Sequence, residues 1–384
     1  MADIIEGKAL EGGALKETPL ARVHRLAGAR MVPFAGYAMP VQYPAGIIAE
    51  HAWTREAAGL FDVSHMGQAR LVGPDHAAVA AALEALVPGE IAGLAFGGQR
   101  YTLLLNEEGG IFDDLMVARP ARSEGAGELA IVVNAGTKEA DYRHIAVRLP
   151  NDVELRREDD RALLALQGPQ AAAALAELAP GAGALAFMTG AAMPVAGVPA
   201  YVTRSGYTGE DGYEISVASA NAEALWMRLS ASPAVKPIGL GARDSLRLEA
   251  GLPLYGHDLN EEISPVEAGL AWSIGTRRRQ EGGFPGQIRI AAELANGPLR
   301  RRVGIRVDGR VPAREGADIL DADGALIGRV TSGGFAPSVG GPVAMGYVVA
   351  EFAAPGTRLG LVVRDKRVPG EIVKLPFVPH RYRR

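Results

Sequence analysis

The sequence predicts an α+β protein of more than one domain that ends in an all-β region. Three observations carry this. At 384 residues the chain is too long for one small core, and two or three domains are expected. Up to about residue 285, helical and strand patterns alternate loosely with short connections. Beyond it, short β-like runs at 303–307, 325–331, 343–349, 358–364 and 371–375 are separated by turns such as Asp308-Gly309 and Asp323-Gly324, the pattern of a small barrel or sandwich.

Taken in order, residues 1–15 are small, polar and Gly-rich and read as a loose lead-in. Ile47, Ile48, His51, Ala52, Arg55 and Ala58 recur at helical spacing, with Gly59 placed to end the helix. Phe61–Met66 reads as a strand or a strand end. A helix over 75–87 is started by Pro74-Asp75 and stopped by Pro88-Gly89. Tyr101–Asn106, Leu115–Ala118 and Glu128–Val133 read as strands, the first two joined by a turn at Glu107-Glu108-Gly109-Gly110. A helix follows over Lys138–Val147. Residues 161–167 form an apolar strand, and Gly168-Pro169 opens a helix to about Leu178. Val198–Arg204 and Tyr213–Val217 are strands flanking a Gly-rich loop. A helix over 241–250 is ended by Gly251 and Pro253.

Composition narrows the function. The chain is 48% hydrophobic and 22% charged, an ordinary globular balance. It has no cysteine, so disulfides, thiolate nucleophiles and Cys-held metals are excluded. A net charge of −4 argues against nucleic acid, and the runs Arg277–Arg279 and Arg300–Arg302 read as solvated faces or loops. The Ala-rich stretches near 77–87 and 171–188 carry Glu84 and Glu177 and read as soluble helices, so no membrane partner is expected. Met1–Glu17 holds four carboxylates and no Arg, which predicts neither signal peptide nor mitochondrial presequence, and hence a cytoplasmic, most simply bacterial, protein. Walker A, G-x-S-x-G and H-E-x-x-H motifs are absent, and the seven His have no metal-ligand spacing, so no metal is expected.

Carboxylates, arginines and tyrosines remain. Asp113 and Asp114 interrupt an apolar strand, where neighbours face opposite sides and only one can face a given pocket. Partial desolvation suits such a group to hold a proton; a polar strand edge would look the same. The stretch Arg204–Glu214 sets Tyr207, Tyr213, Glu210 and Glu214 among three glycines, either a ligand loop or a surface hairpin. Arg243 and Arg247 sit at i, i+4 on one helix face, a carboxylate clamp or, for Arg247, structural pairing with Asp244 and Glu249.

Together these segments resemble the aminomethyltransferase, or T-protein, family of the glycine cleavage system. The matching stretches are Phe34–Tyr37 with Met39-Pro40, Phe61–Gly67, Asn106–Leu115, Val133–Ala135, Gln167–Pro169, Gly206–Glu210, Gly239–Gly251, Leu254–Gly256, Val330–Gly334 and Pro376-Phe377. They run in order from about residue 16 to 382. The resemblance implies a three-domain, cloverleaf-like arrangement around a central channel. A discontinuous α+β folate-binding domain would span 1–60 and 160–285. A second α+β domain, 61–159, would carry the catalytic Asp on an antiparallel sheet, and 286–384 would form the barrel. It implies transfer of an aminomethyl carbon from the lipoyl arm of H-protein to tetrahydrofolate, a co-substrate, giving 5,10-methylenetetrahydrofolate, ammonia and dihydrolipoyl H-protein. Asp114 matches the catalytic carboxylate and Glu214 the acid that binds the pterin. Tyr101, Asn134, Tyr207 and Arg243 match positions lining or supporting the folate site. Many relatives carry Arg after Pro-Phe where this chain has Val378, so the tail contact would pass to Tyr382 or Arg381. A basic cluster, Arg277–Arg279 or Arg300–Arg302, would steer the acidic H-protein. The alternative within the superfamily is a folate-dependent demethylase of a small S-, O- or N-methyl compound.

Overall fold

The computed structural model describes residues 14–120 and 127–383, so the expected lead-in lies almost wholly outside the described residues. Period-2 alternation builds two large sheets from the chain before the barrel. The first has the strand order Thr189–Val195, Val198–Arg204, Gly212–Ala218, Arg161–Gln167, Ala58–Asp62, Val235–Pro237. Only the last pair is parallel. Leu60, Leu164, Leu166, Val202 and Ile215 on one face pack under Leu175, Leu225 and Trp226 of two covering helices.

The second sheet is antiparallel, in the order Gln99–Leu105, Ile111–Ala118, Glu128–Val133, Gly67–Val72, Glu154–Arg157. Leu104, Leu115, Val117 and Ile131 face Val79 and Leu83 of the helix His76–Glu84, and Tyr142 and Ile145 of the helix Lys138–Ala146. Asp75 caps the first of these, accepting from the Ala78 N–H at 2.9 Å, as its position before the apolar run predicts.

The expected all-β region is a closed six-stranded barrel: Arg300–Val307, Gly341–Val349, Leu326–Ala336, Asp318–Leu320, Arg358–Val363, Lys366–Val373. Closure leaves no edge strand. The helix Leu240–Glu249 ties it to the first sheet. Arg247 reaches Asp258 at 2.8 Å and Ser332 at 3.0 Å, while Glu249 accepts from Arg55 at 2.9 Å and from the Ser338 N–H at 2.7 Å.

Several boundaries differ from the sequence reading. The helix Ile47–Glu56 ends before Gly59, which lies inside the strand Ala58–Asp62. A Cβ there would meet Thr54 Oγ1 at 2.5 Å and Ile238 Cγ1 at 2.7 Å, so that glycine serves close packing rather than a cap. The strand read over Phe61–Met66 begins earlier and stops at Asp62; Val63–Met66 is the turn into the second sheet. A small sheet of Lys16–Glu17, Tyr37–Gln42 and Arg30–Phe34 was not read at all. Pro33 and Pro40 interrupt its strands and hide the pattern.

The arginine runs are only in part solvated. Arg277 is held by Glu84 at 2.7 Å, Glu90 at 2.8 Å and Glu281 at 2.7 Å, and Arg278 is buried. Arg300 pairs with Glu267 at 2.8 Å, and Arg302 donates to the carbonyls of Ala268 and Gly251 at 2.9 and 3.0 Å. Carboxylates from distant segments thus hold Arg277 and Arg300, while Arg279 and Arg301 stay exposed.

Candidate functional site

The site grows from the strand Ile111–Ala118. Its entry turn is clasped by Asn106, whose Oδ1 accepts from Gly110 N–H at 2.7 Å and whose Nδ2 donates to the Glu261 carbonyl at 2.9 Å. The ladder then shifts register: Leu104 pairs with Asp113, but Leu105 pairs with Ile111. Phe112 is the extra residue of a bulge, a device that re-aims the side chains beside it. Asp113 thereafter points with Leu115 and Val117 into the core, and Asp114 points with Met116 to the other face.

Two neighbours flank Asp114 on that face. Tyr101 pairs with Met116 and is diagonal to Asp114; its hydroxyl lies beside the carboxyl. Continuing the Met116–Val132 register brings Asn134 opposite Asp114. Asn134 Nδ2 donates to Asp114 Oδ1 at 2.7 Å and to Asp113 Oδ1 at 2.8 Å, while its backbone N–H donates to Asp113 Oδ2 at 2.9 Å. Burial, and next the charge on Asp113, push Asp114 up to about 7, against the pull of Tyr101 and Asn134. That places a general base near neutrality.

The first sheet supplies the opposing wall. Met116, Ala130 and Val132 of one sheet and Tyr201, Thr203, Glu214 and Ser216 of the other line a single cavity. Glu214 lines this cavity together with Met116, which shares its strand face with Asp114. Glu214 accepts from Ser205 Oγ at 3.0 Å. Burial raises its proton affinity, opposed by Arg243 and Ser205. Arg243 projects from the helix Leu240–Glu249 over the Tyr207 ring, 4.8 Å from its centroid, a cation–π contact.

Tyr207 rides the Gly-rich loop, its hydroxyl donating to the Pro253 carbonyl. The loop is pinned to Gln167, whose Nε2 donates to the Ser205 carbonyl at 2.9 Å and whose Oε1 accepts from Thr208 at 3.0 Å. A Cβ on Gly206 would lie 1.8 Å from Gln167 Oε1, so only glycine permits this approach. The loop is thus a built wall, not a free hairpin.

Among the described residues, Arg243 Nη1 is buried without a hydrogen-bond partner. Buried polar atoms are rarely left so. A flat, donor-rich and acceptor-rich heterocycle fits the set of one carboxylate, one guanidinium and aromatic faces.

Of the seven site residues expected from the sequence, Asp114, Asn134 and Tyr101 form one group and Tyr207, Arg243 and Glu214 another. Tyr382 lies on the C-terminal tail. It stacks on Phe187 at 4.3 Å between centroids and leans on His380 at 4.8 Å. Arg381 beside it pins the tail to the loop, its N–H donating to the Gly209 carbonyl at 2.8 Å. The Arg243–Arg247 clamp does not form. Arg247 is buried against Asp244 at 2.7 Å and against Asp258, and Glu249 pairs with Arg55 instead.

Comparison with known proteins adds an independent line. Residues 20–278 match the GCVT N-terminal domain model, and residues 300–379 match the glycine cleavage T-protein C-terminal barrel domain model. The chain is 47% identical to the mitochondrial aminomethyltransferase of Gallus gallus, over 96% of this chain and 94% of that protein. It is 43% identical to the mitochondrial aminomethyltransferase of Dictyostelium discoideum, with the same coverage. The crystal structure of glycine cleavage system aminomethyltransferase T from Bartonella henselae matches with a TM-score of 0.90 and 42% identity, over 97% of this chain and 100% of that one. The cytoplasmic expectation is corrected by these relatives, two of which are named mitochondrial. It rested on the charge of residues 1–17. Targeting segments are removable, so the composition of a few terminal residues does not fix a compartment.

Proposed function

Because the chain belongs to the glycine cleavage T-protein family and is an aminomethyltransferase, we propose that it transfers the aminomethyl carbon of a lipoylated H-protein to tetrahydrofolate. The relatives' names carry this reading and not the demethylase alternative. The observation that supports it most is a carboxylate, Asp114, held at 2.7 Å by Asn134, together with Arg243 lying over the Tyr207 ring and acting on the buried Glu214. The three-domain division is part of the same proposal, supported by two large sheets and a barrel.

In this reading the carbon's bonds to sulfur and to the amino nitrogen break, and two bonds to folate nitrogens form. Two N–H protons leave the folate, one for the sulfur and one for ammonia. Asp114 is placed to stabilise the positive charge that develops on the carbon as sulfur departs. With a proton affinity near neutrality, it also takes the proton of the attacking nitrogen. Glu214 and Arg243 hold the heterocycle, Tyr101 and Tyr207 close its faces, and Asn134 fixes the Asp114 carboxyl. Positioning of a bulky co-substrate against a long arm supplies the rest.

The test is formation of methylenetetrahydrofolate and ammonia from aminomethylated H-protein, wild type beside Asp114→Asn. The variant is expected to bind tetrahydrofolate and to lose most turnover, by roughly 10²–10⁴-fold, the size of a general-base contribution. Undiminished turnover in Asp114→Asn would remove the assignment.

A further inference from the structure

The two large sheets are tied together at few points. The chain crosses between them at 63–66 and 158–160. At the outer edge, Gln99 N–H donates to the Met188 carbonyl at 2.8 Å and Gly190 N–H to the Gly97 carbonyl at 2.7 Å. In the interior, Ser216 Oγ donates to Gln68 Oε1 at 2.5 Å. Among the described residues this is the only side-chain hydrogen bond from a strand of one sheet to a strand of the other. Ser216 stands two residues from Glu214 on one face of its strand. Gln68 pairs with Val132, which pairs with Met116, two residues from Asp114.

Both partners are fixed where they meet. Arg161 Nε donates to Ser216 Oγ at 2.7 Å, and Arg161 Nη2 donates to the Ser216 carbonyl at 2.8 Å. A serine hydroxyl has one proton to give, and with the arginine as donor that proton goes to Gln68. The backbone carbonyl of Gln68 accepts from the Glu158 N–H at 2.9 Å, on the crossing segment itself. Gln68 and Ser216 are buried, and they line the cavity of about 50 Å³ that Met116, Tyr201 and Glu214 also line. A void forfeits contacts on its open side, so the hydrogen bond sets the spacing there more than packing does.

We propose that Gln68 and Ser216, steadied by Arg161, are positioning residues for the transfer: their bond sets the strand that carries Glu214 against the sheet that carries Asp114. The inference rests on the reading of Glu214 as the grip on the heterocycle and Asp114 as the reacting carboxylate. Grip and reaction then belong to different sheets, and the spacing between them decides whether the bound nitrogen meets the carbon to be transferred. A misplacement of about 1 Å costs on the order of 10²-fold in rate. It costs little in affinity, because the grip lies on one side. Tyr207 sits in the loop between two strands of the first sheet, and the helix of Arg243 packs on that sheet through Ala242 and Leu246.

The test is Gln68→Met, which keeps the length and removes the acceptor, beside Ser216→Ala and Ser216→Thr, the last of which keeps the hydroxyl. Affinity for tetrahydrofolate is read by titration, and kcat with aminomethylated H-protein. Gln68→Met and Ser216→Ala are expected to bind tetrahydrofolate within about twofold of wild type and to lose kcat by roughly 10–100-fold. Ser216→Thr is expected to keep most of it. The double variant of Gln68→Met with Ser216→Ala should be no slower than Ser216→Ala alone, since both changes cut one bond. A folded Gln68→Met enzyme with wild-type kcat overturns the proposal. So do losses that multiply in the double variant, or a loss of affinity with kcat kept. Failure of the underlying reading would show separately, as an active Asp114→Asn enzyme or a Glu214→Gln variant that binds tetrahydrofolate like wild type.

Discussion

One nitrogen of Asn134 stands 2.7 Å from Asp114 Oδ1 and 2.8 Å from Asp113 Oδ1, so a single amide steers both carboxylates of the strand. Its two N–H groups suffice for one bond each. An aliphatic residue at this position would leave Asp114 without this donor and Asp113 with only the backbone N–H of residue 134.

Asn134→Ala is therefore expected to act twice. Loss of the bond to the charged form raises the proton affinity of Asp114 further, so the acid limb of the pH–rate profile moves to higher pH. The stranded Asp113 costs about 1–3 kcal/mol of stability, read by urea denaturation. A variant with wild-type stability and an unshifted limb would show the amide to be incidental.

Arg277 yields the opposite kind of expectation. Its three carboxylate partners come from a helix, a loop and its own helix, which makes it a joint and not a free cation. Arg277→Ala should lower the denaturation midpoint and leave the salt dependence of H-protein turnover unchanged. A steeper loss of rate at low salt than at high salt would restore it to a docking surface.

This outcome shows where sequence legibility ends. The strands Glu128–Val133 and Val198–Arg204 were readable to the residue, because β-branched and apolar runs are bounded by turn residues. That only one of Asp113 and Asp114 faces the cleft follows from the pleat alone. A charge run, by contrast, carries no record of Glu84 or Glu267 folding back onto it. The stack of Tyr382 on Phe187 is likewise a tertiary contact that no local pattern announces.

The tail has its own role in holding the loop that bears Tyr207. Arg381 donates to the Gly209 carbonyl at 2.8 Å, and its guanidinium lies 3.6 Å from Glu210. Truncation after His380 should loosen Gly206–Gly209 and raise the KM for tetrahydrofolate severalfold, with little change in kcat. A fall in kcat with unchanged KM would place the tail's influence on the chemistry and not on the loop.

Asp114 itself sets activity against stability. Its carboxyl titrates near 7 in the folded chain and near 3.9 when unfolded. The folded state thus binds the extra proton between these values, and stability falls as pH rises through that window. Asp114→Asn removes the penalty. At pH 8 the variant is expected to be more stable than wild type, on the order of 1–2 kcal/mol, less than the full shift would give because the group is partly open to water. At pH 4, where the wild-type carboxyl is protonated in the fold, the two should unfold at nearly the same denaturant concentration. Equal stability at both values would mean that the cleft solvates the carboxylate fully, and the elevated proton affinity on which base catalysis depends would be lost with it.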